Sequence, residues 1–121
     1  MKSFRDLKVW QKGHELTLAV YQSTHLFPKE ELYGLTSQLR RSAASIPANI
    51  AEGCGRSGNA EFKRFLQVAM GSASELEYHL LLAHELGFLE SEVYARLNNQ
   101  TIEVKRMLSG LIKKIVSEAD R

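Results

Sequence analysis

The segment Gly53-Cys54-Gly55-Arg56-Ser57-Gly58 has the spacing that most resembles a chemical motif. It matches G-x-G-x-x-G, in which glycines let the backbone approach a dinucleotide, and Glu75 and Glu77 follow roughly twenty residues later. That motif acts only after a β-strand, whereas Ile50-Ala51-Glu52 has the pattern of a helix end. We therefore predict a helix ended by a glycine in the left-handed region, a turn into the next helix, and no cofactor.

The histidines do not have the spacing of a metal site. Di-iron helical bundles place Glu-x-x-His on two helices and a Glu on each of the others. Three residues before each of the four histidines stands Gln or Leu, never a carboxylate. The sequence therefore predicts no bound metal.

Nucleophilic catalysis is not indicated either. Cys54 is the single cysteine, and a reactive thiol needs a neighbouring base or cation that lowers its pKa. Ser72 and Ser74 share a helical segment with His79, but no third group is placed to orient the imidazole. We expect that the protein is not an enzyme.

Basic residues provide the remaining candidate site. Residues 1–64 carry ten Lys and Arg against six Asp and Glu, whereas residues 65–121 carry six against eight. Clustered cations bind nucleic acid because they neutralise phosphates, and free N–H groups at the start of the third helix would add to this. The candidate nucleic-acid-binding residues are Arg40, Arg41, Arg56, Lys63, Arg64, Lys105 and Lys113.

Two roles are open for each of Arg40, Arg41 and Trp10. An ion pair from Arg40 or Arg41 to Glu75, between helices or between subunits, would make these side chains structural. This alternative is favoured for Arg41 and stays open for Arg40. Trp10 is expected in the core, although an exposed Trp10 would stack on a base.

The composition is that of one domain spanning residues 1–121. The chain is 44% hydrophobic and 25% charged, with a formal net charge of +2. A chain of this length buries roughly two thirds of its unfolded surface, so its core needs neither disulfide nor metal. Residues 1–10 (MKSFRDLKVW) lack the apolar stretch that is typical of a secretory signal, and no apolar run approaches the roughly 20 residues that span a bilayer. We expect a cytoplasmic protein with no membrane association.

Apolar residues recur at steps of three and four, which predicts helices over about 4–26, 35–52, 60–86 and 91–117. Thr36, Asn59 and Ser91 are the expected caps, and Gly87 the expected stop of the third helix. The expected core face of the first helix is Leu7, Trp10, His14, Thr17 and Tyr21, widened by Val9, Leu16 and Val20. The expected core stripes of the next three helices are Leu35, Leu39, Ala43, Ile46 and Ile50, then Leu66, Ala69, Ala73, Leu76, Leu80, Ala83 and Gly87, then Leu97, Thr101, Val104, Leu108, Leu111 and Ile115. Short connectors favour an all-α, antiparallel up-down-up-down four-helix bundle.

Pro47 lies inside the second predicted helix. A proline there cannot donate to the carbonyl of Ala43, and its ring crowds that turn. We expect a kink that is offset by Ser42, Ser45 or a neighbouring helix.

The third and fourth predicted helices are apolar on more than one face. Such helices must bury more than one face, which in a small bundle indicates self-association. The second stripes comprise Phe62, Phe65, Leu81, Leu82 and Leu86 on the third helix and Tyr94, Ile102, Ile112 and Val116 on the fourth.

Four segments in order resemble one protein family. They are Phe4-Arg5-Asp6-Leu7-Lys8-Val9-Trp10-Gln11, then residues 33–41 (YGLTSQLRR), residues 45–53 (SIPANIAEG) and residues 71–78 (GSASELEY). The chain resembles the four-helix-bundle proteins named after intervening sequences of 23S rRNA genes, over nearly its whole length.

The resemblance implies an antiparallel four-helix bundle, commonly assembled as a homopentameric ring, without catalytic activity. It also implies a connection to RNA, and similar proteins serve as accessory factors to the reverse transcriptases of diversity-generating retroelements. Two hypotheses follow: a ring that binds RNA or DNA through basic residues, or a scaffold for a protein partner such as a reverse transcriptase.

Overall fold

The computed structural model describes residues 3–119, and the side chains of residues 3–115. These residues form four helices and no strand: α1 (Lys8–Ser23), α2 (Leu35–Cys54), α3 (Asn59–Glu85) and α4 (Ser91–Ala119). Short 3-10 turns lie at Phe4–Asp6 and Lys29–Glu31. The prediction of an all-helical chain with four helices is confirmed.

The helix α1 is shorter at both ends than the predicted segment 4–26. It begins late because Leu7 is extended, with φ −81° and ψ 125°, and separates α1 from the preceding 3-10 turn. It ends at Ser23, and the chain turns before Pro28, which forces the residue ahead of it out of the helical region. The other three helices differ from their predicted bounds by one or two residues.

None of the three predicted cap residues is the residue that precedes its helix. The helix α3 begins at Asn59, and Gly58 precedes it with φ 89°, so the cap residue has no side chain to donate or accept. Thr36 does not cap α2 but lies inside it, where the Glu31 carboxylate accepts a bond of 3.3 Å from the Leu35 N–H. Ser91 is the first residue of α4 rather than the residue before it.

Two helices were predicted to end on a glycine in the left-handed region, and only α3 does so. Gly55, which follows α2, has φ −82° and stays in the right-handed region, which corrects the prediction of a left-handed glycine there. Gly87 has φ 84° and ends α3 as predicted. The N–H of Gly87 bonds to the carbonyl of His84 and the N–H of Phe88 to that of Ala83, the pair of bonds that closes a helix on glycine.

One buried face of each helix forms the core. The predicted stripes of α2, α3 and α4 are buried, except for Gly87, which is exposed, and Leu111, which is half-buried. On the face predicted for α1, Val9, Leu16 and Val20 are buried as predicted, but His14 and Tyr21 are exposed, which corrects the prediction for these two. The buried face of α1 is centred on Gly13, which has no side chain, so apolar spacing alone did not locate it.

Each helix packs against two others. Within the described residues α1 contacts α2 and α4, and α3 contacts α2 and α4, whereas α1 and α3 do not contact each other. A hydrogen bond between the hydroxyls of Ser45 and Ser72 joins α2 to α3, and an ion pair between Glu77 and Lys105 joins α3 to α4. The helices α1 and α3 are therefore diagonal in the bundle.

The close contact of α1 with α2 is centred on Pro47. This proline leaves α2 unbroken, and Thr17 of α1 supplies the missing donor: its Oγ1 lies 3.0 Å from the carbonyl oxygen of Ala43 and 2.8 Å from that of Gly13. A Cβ added at Gly13 would lie 3.2 Å from Cγ2 of Ile46. Of the expected compensations, the neighbouring helix supplies the donor.

No helix in the part of the chain that the structure describes is both long enough and apolar enough to cross a membrane.

We predict that Thr17→Val lowers the free energy of unfolding by about 1–3 kcal/mol, because it leaves the Ala43 carbonyl without a donor. In a Pro47→Ala background the helix can supply its own N–H to that carbonyl, so the same substitution should cost about 1 kcal/mol less there. Urea denaturation of the four proteins measures both costs. An equal cost in the two backgrounds would contradict this role of Thr17.

Candidate nucleic-acid interface

The turn between α2 and α3 carries a cluster of cations ordered by an aromatic ring. The guanidinium carbons of Arg56 and Arg64 lie 5.3 Å and 4.4 Å from the centre of the Phe65 ring. Each also pairs with a nearby carboxylate, Glu52 at 3.4 Å and Glu61 at 3.1 Å. Exposed pairs of this kind are worth little, so both arginines stay available to a phosphate.

The first turn of α3 adds backbone donors to the same cluster. Gly58 offers no side chain to cap the helix, so the first N–H groups of α3 lack a side-chain partner. Lys63 follows this turn, is half-buried and has no carboxylate partner among the described residues. Positive ends of helix dipoles and lysines both favour an anion.

Lys105 is engaged elsewhere. Its Nζ lies 2.8 Å from Oε1 of Glu77 on α3, and both side chains are about one third exposed. This bond joins α3 to α4. Lys105 therefore stabilises the packing of α3 against α4, and the carboxylate of Glu77 balances its charge.

Arg41 and Glu75 line one cleft of about 280 Å³, together with Gln38 and the serine pair Ser45 and Ser72. The two serine Oγ atoms are 2.8 Å apart. No ion pair joins either Arg40 or Arg41 to Glu75 within the described chain. A bridge between subunits stays a prediction.

Arg40 is half-buried at a different place, against the end of α1. Its Nε donates to Thr24 Oγ1 at 2.9 Å, and its guanidinium carbon lies 4.8 Å from the centre of the Tyr21 ring. No pattern in the sequence indicates these partners, because Tyr21 and Thr24 lie at the end of α1, far from Arg40 along the chain.

Lys113 is exposed on α4, next to Lys114. Trp10, expected in the core, is half-buried and stacks on His14, with ring centres 5.0 Å apart and planes 9° apart. Of the seven candidate residues, the structure brings Arg56 and Arg64 together on the Phe65 ring, with Lys63 next to Arg64 in α3, and separates Arg40, Arg41 and Lys105 from them.

The groups considered for metal binding or nucleophilic catalysis are dispersed. No three His, Cys, Asp or Glu side chains come together among the residues that the structure describes. Cys54 is half-buried at the end of α2, and burial raises the pKa of its thiol above the usual range. A helix, not a strand, precedes Gly53, so the glycine motif lacks the context of a dinucleotide site.

The fold and these surfaces define an all-helical protein with four long helices and an ordered cluster of surface cations. The chain belongs to the family described as 23S rRNA-intervening sequence protein, whose model matches residues 5–110. Comparison with curated proteins gives no match.

A solved structure agrees with this assignment. It is the crystal structure, at 1.70 Å resolution, of a protein with unknown function from the S23 ribosomal protein family of Bacteroides thetaiotaomicron VPI-5482. The two chains are 30% identical with a TM-score of 0.79, and the match covers 87% of this chain and 98% of that one. The family relation thus supports the fold of this chain and assigns it no function, because the function of the family is unknown.

We predict that Cys54 is slow to alkylate in the native protein, because burial disfavours the thiolate. Since its pKa is higher folded than unfolded, the thiol stabilises the fold at lower pH, and this contribution is lost as pH rises through the folded pKa. Iodoacetamide rates across pH, in native and urea-unfolded protein, measure the two midpoints. The prediction is wrong if the native midpoint is the lower one.

Proposed function

We propose that the protein is a non-enzymatic, oligomeric helical bundle that binds RNA through the cations at one end of the bundle. The observation that carries this proposal is the pair of arginines, Arg56 and Arg64, on the Phe65 ring, with Lys63 next to Arg64 in α3. The family name supports it, since it refers to sequences within 23S rRNA genes. A cytoplasmic location is part of the same proposal.

The proposal includes an antiparallel, up-down-up-down order of the helices. Contacts support it, because early residues of one helix meet late residues of the next, and late residues meet early ones. Gly13 of α1 lies against Ile46 of α2, and Gly53 near the end of α2 lies against Phe62 near the start of α3. Met70 of α3 shares a cleft with Ser109 of α4.

In that order one end of the bundle is rich in cations. The start of α1, the turn between α2 and α3, and the later part of α4 all come to this end. The cations they bring are Arg5, Lys8, Arg56, Lys63, Arg64, Lys113 and Lys114. Several exposed cations on one surface favour phosphate binding, because each contact releases counterions.

The polar groups of the chain support a role without catalysis. Ser45 and Ser72 bond to each other, and Asn49 Nδ2 donates to Ser45 Oγ at 2.9 Å, so these hydroxyls hold helices together. Burial raises the pKa of Cys54, which opposes nucleophilic attack by its thiol.

Assembly into a ring is supported by the exposed apolar side chains of two diagonal helices. Val68, Tyr78 and Leu81 are exposed on α3, and Leu18 is exposed on α1. A head-to-tail ring needs two different contact surfaces on each subunit, and surfaces on diagonal helices meet that need. We propose a homopentamer, the number that the family resemblance implies.

A protein partner is the second candidate function. Leu26 and Tyr33, in the connector between α1 and α2, are 91% and 94% exposed. Large apolar side chains at the surface of a connector suit contact with another protein. A reverse transcriptase of a diversity-generating retroelement is the partner that this alternative proposes.

We predict that a structured 23S rRNA fragment binds with a steep dependence on salt, and that Arg56→Gln with Arg64→Gln weakens binding at least tenfold. Each phosphate contact removed should lower the slope of log affinity against log salt by about 0.7–0.9. Fluorescence anisotropy across a salt series measures both quantities.

The matched control removes the same charge from α4, with Arg96→Gln and Arg106→Gln, both exposed in the structure. It should weaken binding much less. Equal losses in the two double variants would show a general charge effect, and binding that does not depend on salt would exclude the proposed interface.

We predict that light scattering gives a mass about five times the 13.7 kDa of the chain. Tyr78→Lys should reduce this mass, because it places a charge among the exposed apolar side chains of α3. Tyr33→Lys is the matched control and should leave the mass unchanged. A monomeric wild-type protein would contradict the ring.

A further inference from the structure

A cleft lies at the other end of α2 from the basic cluster, where α1 ends and α2 begins. Two adjoining hollows share His25 and Arg40. The inner one, of about 230 Å³, is walled by Phe27, Pro28 and Thr36. The outer one, of about 430 Å³, opens past Tyr21 and Gln22.

Arg40 is held in a fixed position in this cleft. Its Nε is bonded to Thr24 Oγ1, whose own hydroxyl lies within 2.9 Å of the Val20 carbonyl oxygen. The Tyr21 ring supports its guanidinium plane. Its two terminal nitrogens have no hydrogen-bond partner among the described residues. A guanidinium fixed in this way holds its N–H donors in position for an anion, so the side chain loses little entropy when the anion binds.

Thr36 supplies an independent observation. Its side chain is 3% exposed and lines the inner hollow, yet within the described residues its Oγ1 has no hydrogen-bond partner. A buried hydroxyl without a partner is costly, and native proteins rarely leave one. An acceptor bound in the inner hollow would satisfy it.

The charge of the cleft also favours an anion. Lys29 and Arg40 line the inner hollow, and no carboxylate does. The carboxylate of Glu31, which is close in sequence, accepts the backbone N–H of Leu35. The charged groups that line the inner hollow are therefore cationic.

We propose that this cleft binds a phosphate monoester, namely a nucleoside 5′-phosphate, either free or as the end of an RNA strand. The phosphate lies in the inner hollow, where its three terminal oxygens accept from Arg40, Thr36 and Lys29 together, which a planar carboxylate with two oxygens does not match. The nucleoside extends into the outer hollow, between Tyr21 and Gln22.

This site goes beyond the proposed function and does not depend on it. The surface cluster at Phe65 binds the phosphodiester backbone without selecting an end, whereas the cleft is closed on one side and takes a terminal group. Adenosine 5′-monophosphate therefore tests the cleft in the absence of RNA. Failure of one proposal leaves the other standing.

The experiment is calorimetric titration of the full-length protein in its native assembly with adenosine 5′-monophosphate, adenosine and inorganic phosphate. The nucleotide should bind, adenosine should bind at least tenfold more weakly, and inorganic phosphate should compete with the nucleotide. No saturable binding of the nucleotide, or equal binding of adenosine, would overturn the proposal.

Variants separate binding from stability. Arg40→Gln should weaken nucleotide binding at least tenfold, whereas Arg41→Gln, its exposed neighbour in sequence, should leave binding unchanged. Thr36→Val should weaken binding about two- to tenfold without lowering the urea midpoint, because the hydroxyl that it removes has no partner in the protein.

A purely structural Arg40 predicts a different result. In that case Arg40→Gln lowers the urea midpoint and Thr36→Val leaves nucleotide binding as it was, which would exclude the site. The double variant Arg56→Gln with Arg64→Gln should not change nucleotide binding, so a defect there separates this proposal from the RNA surface.

Two RNA oligonucleotides of the same sequence, one with a 5′-phosphate and one with a 5′-hydroxyl, distinguish a strand end from a free nucleotide as the ligand. An RNA with a 5′-phosphate that binds at least tenfold more tightly than its 5′-hydroxyl counterpart, with the difference lost in Arg40→Gln, identifies a strand end. Equal binding of the two RNAs, with retained binding of the mononucleotide, identifies a free nucleotide.

Discussion

The carbonyl of Ala43 imposes the constraint on which the rest of the bundle depends. Pro47 cannot donate to it, and a buried carbonyl without a donor is costly, so a second helix must come close enough to supply one. Thr17 does so, and it reaches Ala43 because α1 has a glycine, Gly13, where the two helices meet. The same pair of helices carries Thr24 against Arg40.

Polar side chains, rather than apolar ones alone, set how the helices are joined. Ser45 meets Ser72 between α2 and α3, and Lys105 meets Glu77 between α3 and α4. Hydrogen bonds of this kind require particular distances, whereas apolar contacts tolerate small shifts. The core thus supplies most of the stability, and these pairs fix which residues lie opposite each other.

The two proposed phosphate sites differ in physical character. Around Phe65 the arginines are exposed and near carboxylates, so their attraction for phosphate is long-ranged, weak for each contact and sensitive to salt. Arg40 instead lies in a cleft, held by Thr24 and Tyr21. A donor fixed before binding loses less entropy, which favours a small ligand that makes few contacts.

Sequence periodicity by itself determined the helical class, the four segments and the buried faces of α2, α3 and α4, because the apolar stripe of a helix is a local property of the chain. It also placed the stop at Gly87, where a positive φ requires glycine. On α1 it placed Val9, Leu16 and Val20 in the core but also His14 and Tyr21, which are exposed, because the buried face is centred on Gly13, which has no side chain and packs against Ile46.

Only the tertiary structure decided which basic residues act together. Arg40 and Arg41 are neighbours in sequence but line different clefts, because successive residues of a helix point about 100° apart. The donor for the Ala43 carbonyl, the partner of Lys105 and the unpartnered hydroxyl of Thr36 all depend on contacts between helices. Such contacts join residues far apart in the chain, and local periodicity does not encode them.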